Sequence, residues 1–357
     1  MDAGVKAAVG RPTERVKPLG HLGVLPKMTV LALLPVAASL FSLMVGRYGI
    51  PFSQLLEILV GRPLGLPQTA PETVATVLFQ VRIPRILCGL MVGAALSGSG
   101  AAYQGIFKNP MVSPDILGAS AGAGFGAAFA ILNSFSIFGI ELTSFLFGLA
   151  AVGFTYFLSS SIGRYGNPVL VLVLTGMVVQ SLFSAFTSVV KYEADPNNKL
   201  PEITFWLMGG LNSTTQKQVL MMLVPFVLGL VPLFLLRWKI NVLSFGEEEA
   251  RALGVNTRRI RVILILASTL MTSASIAVAG MIGWVGLIIP HLARLIVGPN
   301  YRLLLPASVL IGSTFLLLVD DIARTVFGTE IPLGILTAIL GAPFFLYLLR
   351  RGRRVWQ

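Results

Sequence analysis

Three arginines near the ends of apolar segments are the residues of this sequence best suited to bind another protein. Arg82 and Arg85 lie in the run QVRIPR, and Arg324 lies just beyond another apolar segment. A guanidinium group binds a carboxylate through two parallel hydrogen bonds, so three together predict docking of a partner's acidic side chains. Snorkelling at a membrane edge is the alternative use of each arginine alone. Asp320 and Asp321 compete for Arg324, because they precede it by four and three residues on a helix.

A second candidate is the polar segment 237–259, whose core reads SFGEEEARALG from Ser244 to Gly254. A serine before an acidic turn, followed by Ala-Arg-Ala-Leu and a closing glycine, predicts a short helix capped at Ser244. The three acids near its start also suit the helix dipole. A helix of this kind between two apolar segments is either a surface spacer or a docking element for a partner.

Several enzymatic chemistries lack their motifs. The sequence has no GxxxxGK[ST] phosphate-binding loop, no HExxH and no GxSxG, so ATP hydrolysis by that loop is not expected of this chain. The single cysteine, Cys88, and two histidines, His21 and His291, are too few for a metal site, and His291 is interpreted as a helix-end hydrogen-bonding residue. Only Asp320 and Asp321 are counted as acids within apolar segments, which disfavours an ion-coupled carrier. Energy for uphill transport is therefore expected from another subunit.

The elements that position these residues must be membrane-spanning helices. Of 357 residues, 55% are hydrophobic and 12% charged, with a mean hydropathy of +0.83, which excludes an ordinary soluble domain. Ten apolar runs reach the length of about 20 residues that a bilayer requires: 28–46, 86–107, 116–135, 140–162, 168–190, 217–236, 260–280, 282–298, 303–320 and 331–349. An eleventh stretch, 203–211, is too short and predicts a half-membrane or interfacial helix. Ten spans place both termini on one side.

The net charge of +12 is distributed unequally between the two sides of this topology. With the basic amino terminus inside, the inner segments carry +13 and the outer segments −1. Lys and Arg collect on the cytoplasmic side of membrane proteins, so the basic residues predict orientation, with both termini cytoplasmic. A nucleic-acid partner is not expected.

Four blocks in this order resemble the FecCD family of ABC importer permeases for iron-siderophores, haem and cobalamin. They are RIPRILCGLMVGAALSGSGAAYQGIFKNPMVSPDILGASAGAG, FGEEEARALGVN, GWVGLIIPHLARLIVG and EIPLGILTAILGAPFFLYLLRR. The resemblance implies an all-α polytopic membrane protein with ten transmembrane helices and the cobalamin-importer-like (type II ABC importer) permease fold. It implies tails at 1–27 and 351–357 and a permease domain at 28–350, with the coupling segment at 240–258.

The resemblance also implies partners and roles. The permease would be a homodimer with two cytoplasmic ATPase subunits, which hold the ATP and magnesium, and an extracytoplasmic substrate-binding protein that meets Arg82, Arg85 and Arg324. The pathway would follow the dimer axis, lined mainly by 168–190. ATPase coupling is expected at Ser244, Phe245, Gly246, Glu247, Glu248, Ala250, Arg251, Leu253 and Gly254. The pathway gate is expected at Asn109, Pro110, Met111, Asn167, Pro168, Val169 and Leu170, although Gly-Asn-Pro at 166–168 also suits a plain tight turn.

These observations predict a non-enzymatic transport subunit in the cytoplasmic (inner) membrane, without a bound cofactor or metal of its own. The expected substrate is an iron-siderophore, haem or a cobalamin-type compound. Molybdate or tungstate carried by the same machinery is the first alternative. An ion-coupled secondary transporter and a membrane-embedded enzyme are the other readings, and each would need intramembrane groups that the motif search does not find.

Overall fold

The computed structural model describes residues 23–61, 64–65, 69–162, 168–326 and 328–352, and this part of the chain is helical without strands. In chain order the helices are α1 (Val24–Met44), α2 (Phe52–Gly61), α3 (Glu72–Ile106), α4 (Ala119–Leu132), α5 (Ile137–Ile162), α6 (Pro168–Glu193), α7 (Lys199–Met208), α8 (Gln216–Phe245), α9 (Glu247–Ala252), α10 (Thr257–Ala279), α11 (Val285–Val297), α12 (Tyr301–Thr325) and α13 (Leu333–Gly352). Within these ranges, α1, α3, α5, α6, α8, α10 and α12 are long and apolar enough to cross a membrane. The prediction of an all-α polytopic membrane protein is confirmed.

Each of the ten predicted apolar runs contains one of these helices, and the stretch 203–211 corresponds to the ten-residue helix α7. The second run was predicted to begin at 86, but α3 begins at Glu72 and includes a π-helical stretch, Val77–Arg82. Val74 and Leu78 are fully buried there and belong to one apolar cluster with Leu43 and Ile58. Because these contacts bury the start of the helix, it extends into a segment that the sequence suggested was an external connection.

Helix α3 forms the centre of the bundle, with 89% of its most apolar window buried. Glycines allow its neighbours to approach it at backbone distance. A Cβ added at Gly93 would lie 2.2 Å from the carbonyl oxygen of Gly312 in α12, and one added at Gly100 would lie 1.9 Å from that of Gly286 in α11. Such contacts are possible only without side chains, as in other tightly packed membrane helices.

The helices at the periphery bury much less of their surface within this chain. The buried share of the apolar window is 11% in α1, 17% in α8 and 28% in α6. A long apolar helix that is mostly exposed in one chain must meet lipid, a second chain or a pathway. The functional surfaces are therefore sought on these helices and at the two ends of the bundle.

Candidate functional site

A cluster of six charged side chains lies at the end of the bundle that the charge distribution predicts to be outside. We call it the arginine cluster, and it consists of Arg82, Arg85, Arg324, Asp320, Asp321 and Glu330. All three arginines are buried, with exposed fractions of 3%, 8% and 7%. The π-helical stretch of α3 ends at the first of them, and the contact of α3 with α12 brings the aspartates alongside.

Arg85 joins two carboxylates. Its Nε donates to Asp320 Oδ2 at 2.9 Å and to Oδ1 at 3.2 Å, and its Nη2 donates to the same Oδ1 at 2.9 Å. Its Nη1 and Nη2 donate to the two oxygens of Glu330 at 3.2 and 3.0 Å. The Asp320 side chain is 1% exposed and the Glu330 side chain 30% exposed, so one partner is inside the protein and the other lies at its rim.

The other two arginines fix the end of α1. Arg324 pairs with Asp321, and its Nη2 donates to the backbone carbonyl of Ser42 at 2.8 Å and to the Ser42 hydroxyl at 2.6 Å. The Ser42 hydroxyl in turn donates to Asp321 at 2.7 Å. Arg82 donates to the carbonyl oxygens of Leu43 and Tyr48. The intrahelical pairing of Arg324 with an aspartate, anticipated from the sequence, is thus present.

The arginine cluster contains three positive and three negative groups and is electrically balanced. Its guanidinium groups bind acceptors of their own chain rather than projecting from the surface. Docking of a partner's carboxylates by Arg82, Arg85 and Arg324 stays a prediction, and it would require an exchange of existing partners. Glu330, at the rim, is the carboxylate most easily exchanged, and its part in the cluster was not anticipated from the sequence.

The predicted coupling segment lies at the opposite end of the bundle. Ser244 and Phe245 complete α8, Gly246 interrupts the helix, and α9 then runs to Ala252. The prediction that Ser244 caps the short helix is wrong. Its hydroxyl donates to the carbonyl of Asn241 at 2.6 Å, because α8 continues past the serine, and the residue before α9 is Gly246. The closing role of Gly254 is confirmed by its φ of +73° and its amide bond to the Arg251 carbonyl at 2.9 Å.

Glu247 ties this short helix to the start of α10. Its carboxylate accepts from Arg251 Nη2 at 2.9 Å, from the Thr257 hydroxyl at 3.2 Å and from Arg261 Nη2 at 3.5 Å. Burial raises the pKa of Glu247, but the charges of Arg261 and Arg251 and the Thr257 hydrogen bond outweigh that effect and hold it below 4.5. Ala250 faces inward at 0% exposed. Phe245 and Leu253 are 74% and 68% exposed, while Glu248 is also exposed, which leaves surface for a partner.

The predicted gate residues fall near the coupling segment. Val169 in the first turn of α6 lines a pocket of about 220 Å³ together with Lys108, Leu243, Glu247 and Arg261. The neighbouring turn holds Asn109, Pro110 and Met111, where the Asn109 side chain accepts from the Met111 amide at 2.9 Å. Met111 and Leu170 are 52% and 56% exposed. Asn167 lies outside the described residues, and Pro168 is the first residue of α6.

Helix α6 presents three different faces. The buried face carries Leu172, Val179, Phe183 and Val190. An exposed apolar face carries Val178, Leu182, Phe186 and Val189. Between them, at intervals of about four residues, runs an exposed polar stripe of Gln180, Ser184 and Ser188, with Ser181 beside it. At 100° per residue the stripe spans about 100° of the helix surface.

One functional candidate was missed at the sequence level. Glu141 lies in the first turns of α5 and is 5% exposed, so Asp320 and Asp321 are not the sole acids within the apolar helices. Its Oε1 accepts from the Gln218 side chain at 3.0 Å, whereas its Oε2 and the nearby Ser144 hydroxyl have no partner among the described residues. An acid inside an otherwise apolar run is a signal that the sequence does contain.

Comparison with known proteins gives the same topology a family. The model of the FecCD transport family matches residues 33–351, nearly the whole described chain. The chain belongs to the FecCD transport family. FecCD proteins are permease subunits of ABC transporters, and membership implies an ATPase and a binding protein as partners.

Individual relatives within the family carry different cargo. The chain is 42% identical to the molybdate import system permease protein of Haemophilus influenzae over 325 residues, which cover 90% of this chain and 95% of the relative. It is 41% identical to the cobalamin import system permease protein of Halobacterium salinarum over 305 residues, or 85% and 80% of the two chains. A solved inward-facing transporter assigned to the metal-chelate ABC type is 40% identical and superimposes with a TM-score of 0.81 over 93% of this chain and 99% of its own. Nearly equal identities to relatives with different names leave the substrate of this FecCD permease undetermined by similarity.

Proposed function

We propose that two copies of this chain form the transmembrane pathway of an ATP-driven importer in the cytoplasmic membrane. Both termini lie inside, an extracytoplasmic binding protein delivers substrate at the arginine cluster, and two ATPase subunits bind at α9. The ATP and magnesium belong to those subunits, and this chain holds no cofactor. ATP-driven closure of the ATPases moves the coupling segment and switches the pathway between its outward-open and inward-open states.

The observation that supports a pathway is the polar stripe on α6. Exposed hydroxyl and amide groups are unfavourable against lipid, where water is absent to satisfy them. The stripe is therefore best explained if it faces water, while the adjacent apolar face meets lipid or the second copy. The residues from Val169 to Val190 are all uncharged, so the wall is polar but offers no fixed charge to bind a substrate tightly.

Cysteine accessibility tests this arrangement, because the one native cysteine, Cys88, is buried at 0% exposed. Ser184→Cys in the assembled transporter should react with a membrane-impermeant thiol reagent. Val178→Cys is the matched control. Val178 is 66% exposed in the single chain, lies about 120° away on the same helix, and should stay unreactive. Equal labelling of both cysteines, or labelling of Val178→Cys alone, would refute the pathway.

The substrate proposed is a metal chelate of the iron-siderophore, haem or cobalamin kind. A wide, uncharged wall suits a bulky cargo that a binding protein has already selected, and an anion pore is more often lined by Arg or Lys. Molybdate or tungstate is the alternative, since one close relative bears the molybdate name. Titration of the cognate binding protein with ferric siderophore, haem, cobalamin and molybdate decides between them, and tight binding of the oxyanion alone would reject the chelate.

Glu141 gives a specific reason to keep the ion-coupled carrier as a second candidate. A buried carboxylate in an apolar helix is a feature of proton-coupled transport, although the Gln218 amide already binds one of its oxygens. The two candidates differ in what drives flux. A secondary carrier moves substrate in liposomes with this chain alone under an ion gradient, whereas an ABC importer needs the ATPase and ATP.

A further inference from the structure

We propose that a groove at the basic end of α8 binds the headgroup of an anionic phospholipid. The groove has a volume of about 530 Å³, within the range of about 300–1,000 Å³ that is usual for small-molecule sites. Trp238, Asn241, Val242 and Phe245 of α8 form one side, and Pro299 and Arg302 at the start of α12 form the other. The inference goes beyond transport and does not depend on which substrate is carried.

The charges of the groove suit a phosphate diester. Arg302 is exposed, and among the described residues its guanidinium has no carboxylate partner. Lys239 lies at the rim, with its ammonium nitrogen 5.6 Å from the centre of the Trp238 ring. No acidic side chain lines the groove. A basic groove between membrane helices at the cytoplasmic surface, with a tryptophan at headgroup level, is the kind of site that binds anionic lipid.

The apolar surface beside the groove distinguishes a lipid from a soluble anion. Trp238 and Val242 lie on the face of α8 that also carries an exposed row of Leu235, Val231, Leu228 and Val224. These six residues recur at intervals of three, four and seven, so they form one stripe along the helix. Their exposed fractions in the row are 70%, 48%, 60% and 61%. A headgroup in the groove would thus have an acyl-chain path running directly toward the bilayer core.

Trp238 provides a local reporter for the test. The full chain is reconstituted in phosphatidylcholine nanodiscs, and phosphatidylglycerol with brominated acyl chains is titrated in as the quencher. The difference between wild type and Trp238→Phe isolates the fluorescence of Trp238 from that of the other tryptophans. We expect brominated phosphatidylglycerol to quench this signal more strongly than brominated phosphatidylcholine at the same mole fraction.

Two charge variants separate the groove from general basicity. Arg302→Gln should weaken the apparent affinity for phosphatidylglycerol about fivefold, the effect of one basic group near an anionic surface. Arg259→Gln is the matched control, because Arg259 is exposed at the start of α10 but does not line the groove. Lys239→Gln gives a second, independent reading with an expected loss of similar size.

Four results would overturn the proposal. They are equal quenching by the two lipids, an unchanged affinity in Arg302→Gln, an equal loss in Arg259→Gln, and recovery of Trp238 fluorescence when soluble glycerol phosphate is added. Recovery on addition of the cognate ATPase subunits would also overturn it, since the groove would then be a protein contact next to the coupling segment. Preference for the anionic lipid that depends on Arg302 and survives both additions supports it.

Discussion

The arginine cluster makes a quantitative prediction about two carboxylates that share one guanidinium. Asp320→Asn and Glu330→Gln each remove one negative charge from the partners of Arg85 while keeping the size of the side chain. Both variants leave the cluster with one uncompensated positive charge. They differ in environment, because Asp320 is 1% exposed and Glu330 30% exposed.

The expected magnitudes follow from burial. Removing one partner of a buried ion pair costs about 3–5 kcal/mol. Asn retains one acceptor oxygen and Glu330 remains beside Arg85, so the loss for Asp320→Asn should be near the lower limit, about 3 kcal/mol. A pair at the protein surface contributes about 0–1 kcal/mol, which is the loss expected for Glu330→Gln.

Unfolding of the purified chain in mixed micelles by increasing fractions of sodium dodecyl sulphate, followed by tryptophan fluorescence, measures both values under one condition. Glu330→Gln serves as the control for the change of charge alone. The reasoning is refuted if Glu330→Gln destabilises the chain as much as Asp320→Asn, or if Asp320→Asn costs less than about 1 kcal/mol.

Three further predictions concern other parts of the molecule. Gly100→Ala should cost at least about 1–3 kcal/mol, because its Cβ would meet a backbone oxygen, whereas Gly153→Ala, with open space around it, should be neutral or stabilising; the same micelle assay compares them. The lowered pKa of Glu247 means that its contribution to α9 is complete above pH 4.5 and lost as the pH falls through the folded-state value, so hydrogen-exchange protection of α9 should decline there in wild type but not in Glu247→Gln. Arg82→Glu should weaken affinity for the binding protein more than Arg82→Lys, and unchanged affinity in a folded Arg82→Glu chain would end the docking hypothesis.

The sequence predicted the spans well because a bilayer imposes a strong local requirement. Every apolar run near 20 residues contains a helix, since the backbone must satisfy its own hydrogen bonds in lipid. The start of α3 at Glu72 was missed, because Val74 and Leu78 are buried against α1 and α2, and that packing is tertiary. Ser244 was misread as a cap for a local reason, because the pattern fits a cap equally well inside α8, and the break occurs at Gly246.

The candidate site was predictable only in its residue types. The arginines were recognisable as unusual, but the distance between Arg85 and Glu330 along the chain, 245 residues, lies beyond any periodicity. The pairing of Arg324 with Asp321 was predictable because both lie on one helix turn. Likewise the polar stripe of α6 is visible in the sequence, whereas its exposure depends on which neighbours are present. Local patterns thus identify groups, and the fold decides which of them meet.

The glycine contacts of α3 have a mechanical consequence. Where Gly93 meets Gly312 and Gly100 meets Gly286, backbone touches backbone, and no side-chain rotamer can change to let one helix slide over the other. Helices α3, α11 and α12 should therefore move as one stiff body. Any alternation between states must then be a displacement of the loosely held outer helices, above all α6, against a stationary frame.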